Sequence, residues 1–307
     1  MNKSIITSLA AASFIFAGQA ALAADAPKTL EPQQHGEVYT SEQLFIKDVD
    51  SAGGGKGILH GEFAFRREQA LPKDAIKEIG WMTLKPGTSI GLHSHTDNED
   101  AYLIISGRGV FTDSEGNTHQ VGPGDVTIAR RGQSHGLANQ TMENLVFLDI
   151  IAKNDAAKPL GEGENKDQQL YTTDKFIVNN LVQFSGGLGI TQGKVAFLKS
   201  QSQLDNAFTE IGMATLRFGT SIGKHEHTDD ENAYIILYGK GVYTDSSGQE
   251  HVLKPMSMAI ASPGQSHAIR NDSMDDLVFI TVTAKNHNAG GQSAGAEAAA
   301  EAAAEQQ

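Results

Sequence analysis

Hydrophobic positions along this chain come in runs too short for helices. Between Ala101 and Gln140 the β-rich runs Leu103–Ile105, Val110–Phe111 and Val126–Ile128 alternate with turn clusters at Ser114–Asn117, Gly122–Asp125 and Arg131–Ser134. No apolar period of 3.6 residues is sustained. The pattern predicts an all-β fold, a sandwich or barrel.

The pattern occurs twice. An offset of 132 residues, with no gap, carries His93, His95, His119 and His135 onto His225, His227, His251 and His267. It also carries Tyr39-Thr40 onto Tyr171-Thr172, "GGGKGI" (53–58) onto "SGGLGI" (185–190) and "EIGW" (78–81) onto "EIGM" (210–213). Two copies of one domain are expected, within residues 24–154 and 171–287, joined by a polar linker over 155–170. Trp81 and the paired Phe65/Phe197 and Phe147/Phe279 read as core.

The repeated histidines raise the question of chemistry. Alternate residues of a strand leave it on the same side, roughly 7 Å apart, so His93 and His95 in "HSHTDNED", and His225 and His227 in "HEHTDDEN", can aim two ring nitrogens at one point. That is a natural place for a metal. There is no cysteine, so a metal must be held by nitrogen and oxygen. His119 and His251 lie just after Gly-containing turns and read as surface.

Spacing then brings in a family. Gly87, His93, His95, Asp100 and Gly107, followed by Gly124, Gly132, His135 and Asn139, resemble the two motifs of the cupins, and Gly219, His225, His227, Gly239, Gly264, His267 and Asn271 repeat the resemblance. The resemblance covers both copies. It implies two tandem jelly-roll barrels, each with a divalent transition metal (Mn, Fe, Cu, Ni or Zn) held by three histidines, His93, His95 and His135 in lobe 1 and His225, His227 and His267 in lobe 2. Departures fall at the acidic position, which is Asp100 in lobe 1 and Asn232 in lobe 2, each preceded by a glutamate, Glu99 or Glu231. Strand parity favours Asp100 as the carboxylate ligand; the repeat favours Glu99 and Glu231. Both remain open here, with Asp100 and Glu231 taken as ligands. Tyr102 and Tyr234 either line the cavity as proton donors or pack as core. Arg130 and Arg131 either clamp an anionic substrate or lie in an exposed loop. Tyr102, Glu99 and Arg130 are thus the catalytic candidates. Lobe 1, with the anionic ligand and the regular Gly124-Asp125 turn against Met256-Ser257, is the expected working site.

Composition narrows the partners. A formal net charge of −13 argues against nucleic acid and anionic membranes. Residues 1–23 carry Lys3, an apolar run and an Ala21-Leu22-Ala23 site, the order of a secretory signal, so a periplasmic or secreted protein is expected. The Ala/Glu-rich tail over 288–307 carries no evident chemistry. The resemblance implies a metal-dependent enzyme acting on a small organic acid or phenol, a decarboxylase, oxidase or dioxygenase; the alternative is a non-catalytic binding or storage protein. The two lobes are expected to pair within the chain, with homo-oligomers left open.

Overall fold

The computed structural model describes residues 36–154, 166–203 and 205–285. The leader, the tail and most of the linker expected from the sequence lie outside the described residues. Among these residues every regular element is a β-strand or a short 3-10 turn.

Each lobe is a jelly roll of two sheets. In lobe 1 the larger sheet runs Leu170–Tyr171, Val126–Ala129, Asn98–Ser106, Leu145–Lys153, Ile76–Leu84, Ile58–Phe65, Phe45–Asp50, and the smaller runs Ser89–Ser94, Ser134–Ala138, Gly109–Thr112, Thr118–Val121. Lobe 2 repeats both sheets, and in each lobe the end strand of the larger sheet comes from the other half of the sequence. Val38–Tyr39 pairs with Met258–Ala261, and Leu170–Tyr171, which straddles the expected boundary between the linker and the second copy, pairs with Val126–Ala129. The two arms are exchanged, and each covers an edge that would otherwise present unpaired backbone groups.

Alternation within one strand shows how the core is divided. Strand Leu145–Lys153 is buried nearly throughout, because its two faces meet different apolar neighbours. Leu145 and Phe147 point into the barrel of lobe 1 with Phe63, Met82 and Phe111. Leu148 and Ile150 face the other way, into a cluster shared by the lobes that contains Trp81 and Phe65 from one and Phe197, Phe208 and Ile280 from the other. A two-sided burial of this kind writes a continuous apolar run rather than an alternating one.

The repeated glycines position the histidine strands. A Cβ on Gly55 would collide with Ser89 O, and one on Gly91 with Gly53 O. Only glycine lets the 3-10 turn Ala52–Gly54 lie flat against strand Ser89–Ser94, directly behind His93. Gly187 and Gly223 do the same for strand Ser221–His227.

Candidate metal centres

In lobe 1, His93 on strand Ser89–Ser94 lies directly opposite His135 on the antiparallel strand Ser134–Ala138. His95 follows two residues later on the same side. Strand Asn98–Ser106 of the other sheet adds Asp100, so one donor atom from each of His93, His95, Asp100 and His135 falls within 4.8 Å of the others. Asp100 Oδ2 is 3.3 Å from His135 Nε2 and 3.7 Å from His95 Nε2. In lobe 2, His225 faces His267 in the same register, and His225, His227 and His267 converge within the same 4.8 Å.

The hydrogen bonds on the outer ring nitrogens show what the inner ones present. His93 Nδ1 lies 2.9 Å from Gly91 O, and His225 Nδ1 lies 2.9 Å from Gly223 O. A carbonyl can only accept, so Nδ1 carries the proton and Nε2 its lone pair. His95 Nδ1 donates to Asn98 Oδ1 at 2.6 Å, the amide being oriented by its own bond to Asp97, and His227 Nδ1 donates to Asp230 Oδ1 at 2.8 Å. The inward Nε2 atoms nevertheless stand only 3.1 Å apart, His95 from His135 in lobe 1, and His267 from both His225 and His227 in lobe 2. Lone pairs so close repel unless a cation or proton sits among them. Both donor sets therefore fit a divalent transition metal, and a metal-binding role is supported for both lobes.

Burial favours the neutral form of His95, His135 and His267, the form metal binding requires. It pushes His135 down to about 4, against the pull of Asp100, and lowers His95 as well. His267 is driven well below its ordinary value by burial and by His225 and His227. Burial alone would raise Asp100, but its contacts with His135, His95 and Asp149 outweigh that and lower it, and it stays ionised. Asp149, within hydrogen-bonding reach of Asp100, is pushed the opposite way by burial and by the charges of Asp100 and Glu78, and stays protonated. One of two neighbouring carboxyls holds the charge and the other the proton.

Several expected site residues lie elsewhere. Glu99, adjacent to Asp100 and on the other face of the strand, accepts hydrogen bonds from Ala207 N at 2.8 Å and Phe208 N at 3.1 Å, both in lobe 2. Arg130 donates to the same carboxylate at 2.9 Å and to Phe208 O at 3.3 Å, with its guanidinium over the Phe197 ring. Both make buried cross-lobe contacts. Glu231, expected as a ligand, is the reciprocal contact, accepting from Ile76 N of lobe 1 at 2.8 Å and from Ser262 Oγ at 3.2 Å. Arg131 is buried rather than in an exposed loop. Tyr102 is buried and stacked on His135 with ring centroids 4.4 Å apart. Burial, with Asp100 and Asp149 adding to it, raises its phenol well above the ordinary value, so it packs and orients the ligand ring rather than giving up a proton.

Other residues matter that the motifs do not contain. Asp149 and Glu78 reach the site from strands Leu145–Lys153 and Ile76–Leu84. Arg67, half-exposed and 3.9 Å from Glu78, adds a positive charge that pulls His95, Tyr102 and Asp149 downward. An unpaired aspartate in an apolar strand was the available signal for Asp149; nothing in the sequence marked Arg67.

The cupin domain family model matches the chain twice, over residues 80–151 and 212–283, at the same offset of 132. An oxalate-binding protein of Thermotoga maritima is 32% identical over 116 residues, which is 38% of this chain and 93% of that protein. Among solved structures, the putative glyoxylate-induced protein of Pseudomonas aeruginosa matches with a TM-score of 0.65 at 12% identity, over 90% of this chain and 97% of its own. The oxalate decarboxylase of Lactobacillus farciminis, in a formate complex, matches with a TM-score of 0.59 at 13% identity, over 82% and 87%. At such identities these two structures share the fold.

Proposed function

Since the chain belongs to the cupin family, with two cupin domains in tandem, we propose that it is an exported metal-dependent enzyme that decarboxylates or oxidises a small organic acid, with lobe 1 as its working site. The observation that carries this reading is the donor set of lobe 1, where an ionised Asp100 joins His93, His95 and His135 within 4.8 Å and the charge of Arg67 acts on His95. His93, His95, His135 and Asp100 would hold a divalent ion, which supplies a Lewis acid for a substrate carboxylate and, if it is Mn, Fe or Cu, a redox partner. Arg67 would pair with the far end of an anionic substrate, the role the sequence had offered to Arg130. Tyr102, stacked on His135, fixes that ring, and the protonated Asp149 keeps Asp100 in place. The leader at 1–23 supports a periplasmic or secreted location.

A non-catalytic binding protein is the second reading, and one observation favours it: the curated relative at 32% identity is named for binding oxalate, not for turning it over. The deciding experiment starts with elemental analysis of the exported protein. It continues with a screen of small mono- and dicarboxylates and phenols for carbon dioxide release, oxygen uptake and binding. His93→Ala should abolish turnover and His225→Ala should leave most of it. Larger loss from His225→Ala would place the chemistry in lobe 2, and tight binding of an acid without turnover would establish the binding reading.

A further inference from the structure

The two centres carry their negative charge at different depths. In lobe 1 the charge is at the centre itself, on Asp100, while the supports behind the imidazoles are neutral: His95 leans on the amide of Asn98, and His135 has Phe111 beside it and no partner for its buried Nδ1. The same three positions are altered together in lobe 2. Asn232 stands where Asp100 does, its Nδ2 donating to Thr281 Oγ1, Thr283 Oγ1 and Val282 O. Asp230 replaces Asn98 and takes the Nδ1 proton of His227 at 2.8 Å, its other oxygen held by Lys199 Nζ at 2.9 Å. Tyr243 replaces Phe111 and brings its hydroxyl to 3.3 Å from His267 Nδ1.

A carboxylate behind a histidine fixes the tautomer and makes the inward nitrogen a better donor. A centre whose own ligands are nitrogen and neutral oxygen suits ions that favour imidazole, whereas a carboxylate in direct contact suits harder ions. Resting on the reading that both histidine clusters bind metal, we propose that lobe 2 is a second metal site of different selectivity, in which Asp230 and Tyr243 act as positioning residues on His227 and His267. Relative to lobe 1, lobe 2 favours zinc, copper or nickel over manganese and iron. Lys199 keeps Asp230 charged and aimed at His227.

The test uses the full-length protein, stripped and then equilibrated with manganese and zinc at equal free concentration, with bound metal counted by elemental analysis and manganese read by its paramagnetic resonance. The His225→Ala protein, which keeps lobe 1, binds a higher ratio of manganese to zinc than the His93→Ala protein, which keeps lobe 2. Asp230→Asn in the His93→Ala background weakens zinc binding about 10- to 100-fold in protein that still unfolds in one cooperative transition without metal. Adding Asn232→Asp to that variant restores metal binding and moves the preference towards manganese, which a purely structural role for Asp230 would not produce. Equal manganese-to-zinc ratios in the two single-lobe proteins, or undiminished zinc binding in Asp230→Asn, overturn the proposal while leaving both metal sites standing. No metal retained by either single-lobe protein overturns it together with the reading it rests on.

Discussion

Because strand Asn98–Ser106 alternates its faces, Glu99 and Asp100 leave the backbone on opposite sides, one towards lobe 2 and one towards the imidazoles. The consequence is two separable phenotypes from adjacent residues. Glu99→Gln removes the charge that Arg130 faces in a buried setting, and losing one partner of such a pair costs about 3–5 kcal/mol. The variant should melt earlier yet, where folded, keep its lobe 1 metal. Asp100→Asn should do the reverse, with metal content falling and the metal-free melting temperature little changed. Melting curves with elemental analysis on both variants check this; a Glu99→Gln protein of normal stability that has lost metal would make Glu99 the ligand after all. The glutamate recurs in both copies because each lobe uses it on the other, so repetition marked a symmetric contact. Strand parity was the signal that pointed at Asp100, and only the far side of the strand, which no sequence shows, could separate the two.

At the scale of elements, the facing strands Ser134–Ala138 and Gln265–Arg270 bring up His135 and His267, and their metal-free acid responses should differ. Burial holds His267 well below its ordinary value. The unfolded chain then takes up that proton first, and stability is lost as pH falls through the unfolded histidine value of about 6.5. His135, lowered to about 4, acts in the same sense. In lobe 1, however, burial raises Asp149 and Glu78. A carboxyl raised in the folded state binds protons better there than unfolded, and stabilises as pH falls. The opposing signs offset one another in lobe 1, whereas lobe 2 has Thr281 in place of Asp149. Between pH 7 and 5 the metal-free protein should lose amide protection, corrected for intrinsic exchange, on Gln265–Arg270 before Ser134–Ala138; the opposite order would refute the assignment. The all-β class, the turns and the repeat were legible because short apolar runs and glycines record them locally. Asp149 was not, since its partner comes from a strand some fifty residues away.

For the whole molecule, the shared core and the exchanged arms mean that neither lobe is a finished unit. Each barrel expressed alone exposes Phe65 and Trp81, or Phe197 and Phe208, and lacks its end strand. Separately produced halves should be poorly soluble or self-associating, and mixing them should give a one-to-one complex by size-exclusion chromatography. Two stable monomers with no affinity for each other would contradict this. The boundaries read from the repeat follow the chain, while Val38–Tyr39 and Leu170–Tyr171 belong, by hydrogen bonding, to the lobe they do not precede; an offset in sequence carries no information about which copy a strand joins.

The exchanged arms have a consequence for how such a chain holds together. Two free single-barrel subunits swapping their first strands would make the same contacts at a strength set by their concentration. With both barrels on one chain, each arm meets its groove at the high effective concentration of a tether. Release then requires two separate strands to let go at once. Breaking the connection between residues 155 and 165 would remove the tether but neither strand, so the covalent join adds persistence to an embrace whose grip lies in the arms.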